Sequence, residues 1–148
     1  MSNFNYCLAQ GKKYERETLK YIEYDTCEFS QGYCKEWDLQ TTKDGVKTIY
    51  EVKSERYAGH SKNLCVEYAY NGVLSGVRAT SADIWVHFAI MTDGSHICYF
   101  IPIADLRQLV ADKKYIKNIV GGGDGKKSSF YIFRMSDLCQ WVKEKVQV

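Results

Sequence analysis

Apolar positions along the chain fall into two kinds of pattern. Residues 9–24 carry them at helical spacing and predict an amphipathic helix. Beyond that the period shortens to that of strands. Residues 36–42 and 46–53 read as two strands joined by Lys43-Asp44-Gly45, with Asp-Gly as the hairpin signal. Residues 63–69 read as a third strand, and Tyr70 to Arg78, which contains Asn71-Gly72 and Ser75-Gly76, as a loop. Thr80 and Asp83 have capping-box spacing and predict a short helical turn. Residues 84–90 and 96–102 pair across Thr92-Asp93-Gly94. Both are apolar at odd and even positions, as strands covered on both faces are. A helix over 103–112, a strand over 129–134 and a last helix, N-capped by Ser136 and running to 145, complete the chain. This order predicts an α/β fold, a mixed β-sheet flanked by helices.

Pro102 is the one proline, and no repeat or low-complexity block interrupts the pattern, so residues 1–148 read as a single domain. The apolar share of 45% and charged share of 26% exclude a disordered tail or a collagen-like chain. The longest apolar stretches, Ile84 to Ile90 and Ile97 to Ile103, are far too short for a membrane span. The first residues lack a basic segment followed by an apolar run, which points to a cytoplasmic protein without a signal peptide. The six cysteines then read as reduced thiols, mostly in the core, because Cys65, Cys98 and Cys139 fall within apolar runs. No pair has CxxC spacing and the three histidines are scattered, which argues against structural zinc. A net charge of +2 does not by itself demand a nucleic-acid partner.

Chemistry concentrates in Trp37-Asp38 followed, after twelve residues, by Glu51-Val52-Lys53. Strand side chains alternate faces, so Glu51 and Lys53 point the same way, and the hairpin brings Asp38 next to Glu51. Two carboxylates with waters form the hard oxygen environment that Mg²⁺ prefers. Lys53 suits a different role, orienting a water and offsetting charge on a phosphoryl group. The first helix adds an independent clue. Glu15 falls in the middle of the apolar face formed by Leu8, Gly11, Leu19 and Ile22, whereas Glu17 lies on the polar face with Lys13 and Lys20. A carboxylate aimed at a core needs a partner. Two partners suit it: a metal shared with Asp38 and Glu51, or a buried lysine or arginine, Lys53 included.

Glu15, Asp38 and the Glu51-x-Lys53 pair together resemble the PD-(D/E)XK nuclease superfamily. The segment Gln10-Gly11-Lys12-Lys13-Tyr14-Glu15-Arg16-Glu17-Thr18-Leu19 is similar to the Lys-Gly-x-x-x-Glu-Arg-Glu opening of archaeal-type Holliday-junction resolvases, and the twelve-residue gap fits that group. The resemblance covers about the first third of the chain. Trp37 stands where the family name has proline. After Lys53 the sequence departs from the archaeal pattern: Asn63-Leu64-Cys65-Val66-Glu67, Ser75-Gly76-Val77 and Thr80-Ser81-Ala82-Asp83-Ile84-Trp85 are similar instead to small phage-encoded members. The resemblance implies a restriction-endonuclease-like core and a Mg²⁺-dependent DNA endonuclease, with Mn²⁺ able to substitute. Asp38 and Glu51 would hold the main metal, with the Val52 carbonyl as a further ligand. Glu15 would bind a second metal or a metal-bound water, and Lys53 would position the attacking water. Branched DNA is the implied substrate and a homodimer the implied assembly, since two symmetric nicks need two sites. A homing or restriction-type phage nuclease acting on duplex DNA, and a DNA-binding module without cutting activity, are the alternatives.

Several residues around this centre have two readings. Glu67 either reaches the site through water or orients Lys53, or is a rim carboxylate paired with a cation. Ser54 contacts a phosphate or ends its strand. Arg16, Arg56 and Lys62 suit phosphate-backbone contacts; a solvated loop is the alternative for residues 54–63. Residues 121–128 fail the P-loop template, because Val120 stands where its first glycine belongs and Lys127 follows Lys126. They read as a turn whose Lys126 and Lys127 track DNA. His87, Trp85 and Trp141 read as core residues.

Overall fold

The computed structural model describes residues 3–31, 37–56, 58–122 and 124–144, with side chains described from Gly11 onward except at Asp124. Residue 36 of the first predicted strand, residue 145 of the last predicted helix, Cys34, and the side chains of Cys7 and Leu8 lie outside the described part. The chain opens with α1 (Asn3–Thr18), which continues as one 3₁₀ turn, Leu19–Tyr21. There follow β1 (Thr26–Phe29), β2 (Leu39–Lys43), β3 (Val46–Glu55), α2 (Ala58–Ser61), β4 (Asn63–Tyr70), β5 (Val73–Leu74) and α3 (Gly76–Ala79). The second half holds β6 (Ile84–Ile90), β7 (His96–Pro102), α4 (Ile103–Ala111), β8 (Lys117–Gly122) and β9 (Ser128–Arg134), and it closes on a 3₁₀ helix, Met135–Trp141.

The fold is α/β. Five strands form a mixed sheet in the order β1-β2-β3-β6-β7, in which β3 and β6 run parallel and the other pairs antiparallel. The strands predicted at 63–69 and 129–134 do not join it. They form a second, antiparallel sheet in the order β5-β4-β9-β8. Alternation along β6 explains how both sheets share the interior. Val86 and Phe88 face the side covered by α1, packing with Tyr14, Tyr21, Tyr50 and Val52. Trp85 and Ala89 face the other way, into a cluster with Leu64, Val66, Tyr131, Phe133 and Leu106. The two-sided apolar pattern of 84–90 is thus used on both faces. Removing the ring of Trp85, fully buried in that cluster, costs about 3–5 kcal/mol by analogy with large-to-small core changes.

Several predicted boundaries move, each through a tertiary contact. The first helix ends at Thr18, whose hydroxyl bonds back to the Tyr14 carbonyl, rather than at 24, and Tyr21 turns inward to meet His96 Nε2 at 2.7 Å. Thr80 follows a helix instead of starting one. Its supposed capping partner Asp83 instead clamps β3 to β6: its Oδ2 accepts from Ile49 N–H and its N–H donates to Ile49 O, both at 2.8 Å. The loop expected over 70–78 contains β5 and α3. Ser136 is not an N-cap, because the last segment is a 3₁₀ helix preceded by Arg134 and ended by Val142, which bridges to Tyr99 of β7. Strands β1 and β8 carry no apolar alternation and pair at sheet edges, with Phe29 of β1 packed on the core and Asn118 of β8 accepting from the Tyr68 hydroxyl at 2.7 Å. The thiols of Cys27, Cys65, Cys98 and Cys139 are free; Cys98 is buried as expected, but Cys65 is half-buried and Cys139 exposed. Among the described residues no helix is long and apolar enough to cross a membrane.

Gly76 anchors the join between β5 and α3. Its φ is +49°, and an added Cβ would lie 2.0 Å from the Glu67 carbonyl oxygen. Both the left-handed backbone and the contact exclude a side chain. Gly76→Ala is therefore expected to lower unfolding stability by about 3 kcal/mol, read by urea denaturation. An unchanged midpoint would show that the backbone there relaxes freely.

Candidate functional site

The site forms where β2 begins and β3 is still running. Asp38 N–H donates to Tyr50 O at 3.0 Å, and Val52 N–H donates to Asp38 Oδ2 at 2.8 Å. The Asp38 carboxylate thus takes the place of a strand neighbour and leaves Oδ1 without a role in that bond. A residue's N–H and C=O leave a strand on the same side, so the Val52 carbonyl also points toward the Asp38 edge. In register, Glu51 lies beside Trp85 and Lys53 beside His87 of β6. Glu51 and Lys53 therefore share the Trp85 face, as the alternation predicts, and their side chains meet at 3.1 Å (Lys53 Nζ to Glu51 Oε1).

Thr80 is a site residue that the sequence did not reveal. It is buried, and its Oγ1 lies 3.3 Å from the second Glu51 oxygen, Oε2. Because Oγ1 also accepts from Ala82 N–H, its own proton is directed at the carboxylate. Arg107 of α4 holds this loop from outside through Val77 O at 3.0 Å and Thr80 O at 2.8 Å. The one signal in the sequence, Thr80-x-x-Asp83 spacing, pointed to a helix cap, and nothing local marks a threonine that meets a carboxylate 29 residues away.

Electrostatics ties the helix to the sheet. Burial, and then the charges of Asp38 and Glu51, push the Glu15 carboxyl up to about 7, against a partial offset from Lys12 and Arg16. Asp38 and Glu51 are also raised, mainly by burial. For Lys53 burial acts to lower the pKa, but Glu51 and Asp38 outweigh it and the net direction is up. Lys53 is therefore a firm ammonium ion, able to offset negative charge and orient water but unsuited to remove a proton. Lys53 is shared by Glu51 and Asp38, and the hard oxygen donors of these two acids suit a divalent cation. Among the described residues no three His, Cys, Asp or Glu side chains are gathered as a ready-made metal cage.

Beyond Lys53 the face opens into a cavity of about 230 Å³ lined by Lys53, Ser54, Glu55, Cys65, Glu67, Trp85 and His87. Ser54 is exposed within β3, which runs on to Glu55, so it does not end the strand. Glu67 is fixed by two hydroxyls, Ser75 at 2.9 Å and Ser128 at 3.0 Å, and its charge reaches Lys53. His87 is buried, as a core histidine should be, but it is fully engaged: Trp85 Nε1 lies 3.2 Å from Nδ1, and Glu55 Oε2 lies 3.0 Å from Nε2. An indole N–H only donates, so Nδ1 is the acceptor and the ring proton sits on Nε2, facing Glu55. Glu55 in turn accepts from Cys65 N–H and covers the open edge of β4. Burial and the Glu55 contact push the Cys65 thiol up to about 12.

The expected DNA-contacting residues divide. Arg16 is exposed on α1 and, with Lys12, Lys13, Glu17 and Lys20, lines a groove of about 520 Å³. Arg56 and Lys62 are exposed on either side of α2, directly after β3. Lys126 and Lys127 are exposed at the end of the second sheet, where Lys127 O accepts from Asn71 N–H at 2.8 Å.

The crowding has a consequence for stability. An acid whose folded pKa is raised contributes stability that is fully present below its unfolded value and is lost as pH rises through the folded one. For Glu15 that window runs from 4.5 to about 7, and Asp38 and Glu51 act in the same direction. The metal-free protein is expected to lose Tm across this window and Glu15→Gln to flatten the slope. An equal slope in both proteins would show that the Glu15 carboxylate is not crowded.

No family model, curated protein or solved structure matches the chain.

Proposed function

We propose that the chain is a divalent-metal-dependent DNA endonuclease with a restriction-endonuclease-like core. The observation that carries this reading is the pairing of Asp38, at the start of β2, with Glu51 of β3 beside one ammonium, Lys53, while Glu15 of α1 feels the charges of both acids. Mg²⁺ usually keeps several waters and needs only one or two carboxylates. Asp38 and Glu51 would hold it, the Val52 carbonyl points to the same edge, and Mn²⁺ has the same hard-oxygen preference. When bound, the ion supplies charge to a phosphoryl oxygen and acidifies a water.

The chain's own groups account for the rest. Lys53, held at 3.1 Å from Glu51, orients the attacking water and offsets charge building on the phosphate. Glu15 would bind a second metal or a metal-bound water, and the proton lost by the attacking water passes to solvent. Attack on phosphorus forms one P–O bond and breaks the bond to the 3′ oxygen, leaving a 5′-phosphate and a 3′-hydroxyl. Thr80 keeps the outer Glu51 oxygen in place. The basic groove of α1 and the exposed Arg56 and Lys62 supply phosphate contacts. Branched DNA as substrate, a homodimer as the active assembly and an intracellular setting complete the reading, and they rest on the resolvase-like opening around Glu15.

Asp38→Asn and Lys53→Ala are each expected to lower Mg²⁺-dependent cleavage by about 10³-fold or more with the far-UV circular dichroism unchanged. The substrates to compare are labelled four-way junction, flap, plain duplex and single strand. Normal cutting by either variant would remove the catalytic assignment. Binding without cutting by the wild-type chain would leave a DNA-binding module in place of an enzyme.

A further inference from the structure

The β4–β5 hairpin ends in an apolar tip that the core does not use. Asn71 and Gly72 both have positive φ, 51° and 78°, which gives a tight two-residue turn of the kind that projects a hairpin end. Around it Tyr70, Val73 and Leu74 are 50%, 64% and 59% exposed. Three large apolar side chains on five consecutive residues are more than the scattered exposed apolar groups a surface normally carries. The tip is also braced. Asn71 N–H donates to Lys127 O, so the loop carrying the exposed Lys126 and Lys127 is fastened to it.

The position of this tip ties it to the candidate site. Glu67, three residues before Tyr70, lines the cavity beside Lys53. Its carboxylate holds Ser75, just after β5, and Ser128, just after Lys127. Three residues of strand span about 10 Å, which is about three base steps of a duplex. Phosphate tracking alone would need only a charged face, so the apolar tip calls for a second kind of contact. An apolar tip flanked by two lysines matches nucleic acid at both levels: lysines for the backbone and aliphatic groups for exposed base faces.

We propose that Tyr70, Val73 and Leu74 form a wedge that inserts against unstacked bases at a helical discontinuity, with Lys126 and Lys127 holding the flanking phosphates. Apolar side chains placed between base steps are a known way to bind bent or opened DNA. The wedge sets the preference of the site for junctions, flaps or nicks over continuous duplex, and it rests on the nuclease reading above.

The test uses the full chain and a four-way junction carrying 2-aminopurine at the branch, with Mg²⁺ withheld for binding and added for cutting. Wild type is expected to raise the 2-aminopurine fluorescence at least threefold on the junction and not on continuous duplex. V73S/L74S, at exposed positions, is expected to lose that rise and to cut the junction at least tenfold more slowly, with duplex binding changed less than threefold. Unchanged fluorescence and cutting in V73S/L74S would overturn the wedge while leaving the nuclease standing. A drop in sedimentation mass of V73S/L74S, with junction fluorescence retained, would assign the tip to contact between copies and also overturn it. A wild-type chain that cuts no DNA in Mg²⁺ yet raises the fluorescence would fail the nuclease reading alone.

Discussion

Burial of Asp38 and Glu51 beside Lys53, with Glu15 near enough to feel both charges, is the constraint around which this molecule is arranged. All three acids are raised chiefly by burial, and Glu15 and Glu51 further by neighbouring carboxylates, and that arrangement opposes folding wherever they ionise. It persists because each acid is fixed by a strong local feature. Asp38 takes a strand neighbour's place at Val52, Glu51 is held from both oxygens by Lys53 and Thr80, and Glu15 rides on a helix packed through Tyr14 onto Phe88. A site that keeps like charges together at a cost in stability is what pKa-tuned chemistry requires.

The second sheet serves this centre as a wall. Glu55 links the sheets by covering the edge of β4 while it holds His87, and Glu67 links β4, β5 and β9 while its charge faces Lys53. Polar groups at the sheet junction are therefore satisfied, and no buried side-chain nitrogen or oxygen among the described residues lacks a partner. Full satisfaction matters because an unpaired buried polar group costs about 1–3 kcal/mol. The wall shares the cavity lining with Lys53 through Glu67 and Cys65 and is exposed at its far end, where the hairpin tip and the Lys126–Lys127 turn meet.

Arg107 shows how a distant element acts on the same centre. Its guanidinium bonds two carbonyls of the α3 segment, Val77 and Thr80, and thereby fixes the hydroxyl that meets Glu51. Helix α4 thus bears on carboxylate geometry through Thr80.

Local patterns in the chain were enough to determine the β2–β3 hairpin, the two-sided β6 and β7 strands, α4, and the shared face of Glu51 and Lys53. These follow from period-2 alternation, turn chemistry and helical spacing, which act within a few residues. The odd position of Glu15 on an apolar helix face was legible for the same reason. The division into two sheets, the edge strands β1 and β8, the end of the last helix at Val142, and the roles of Thr80, Arg107, Glu55 and His87 were decided only by the tertiary structure. Each depends on a partner tens of residues away: Ile49 recruits Asp83, Tyr99 stops the C-terminal segment, and Trp85 fixes the proton of His87 toward Glu55. A hydrogen bond across the fold leaves no periodic trace in the residues that make it, so spacing reveals which side chains share a face but not which of them meet.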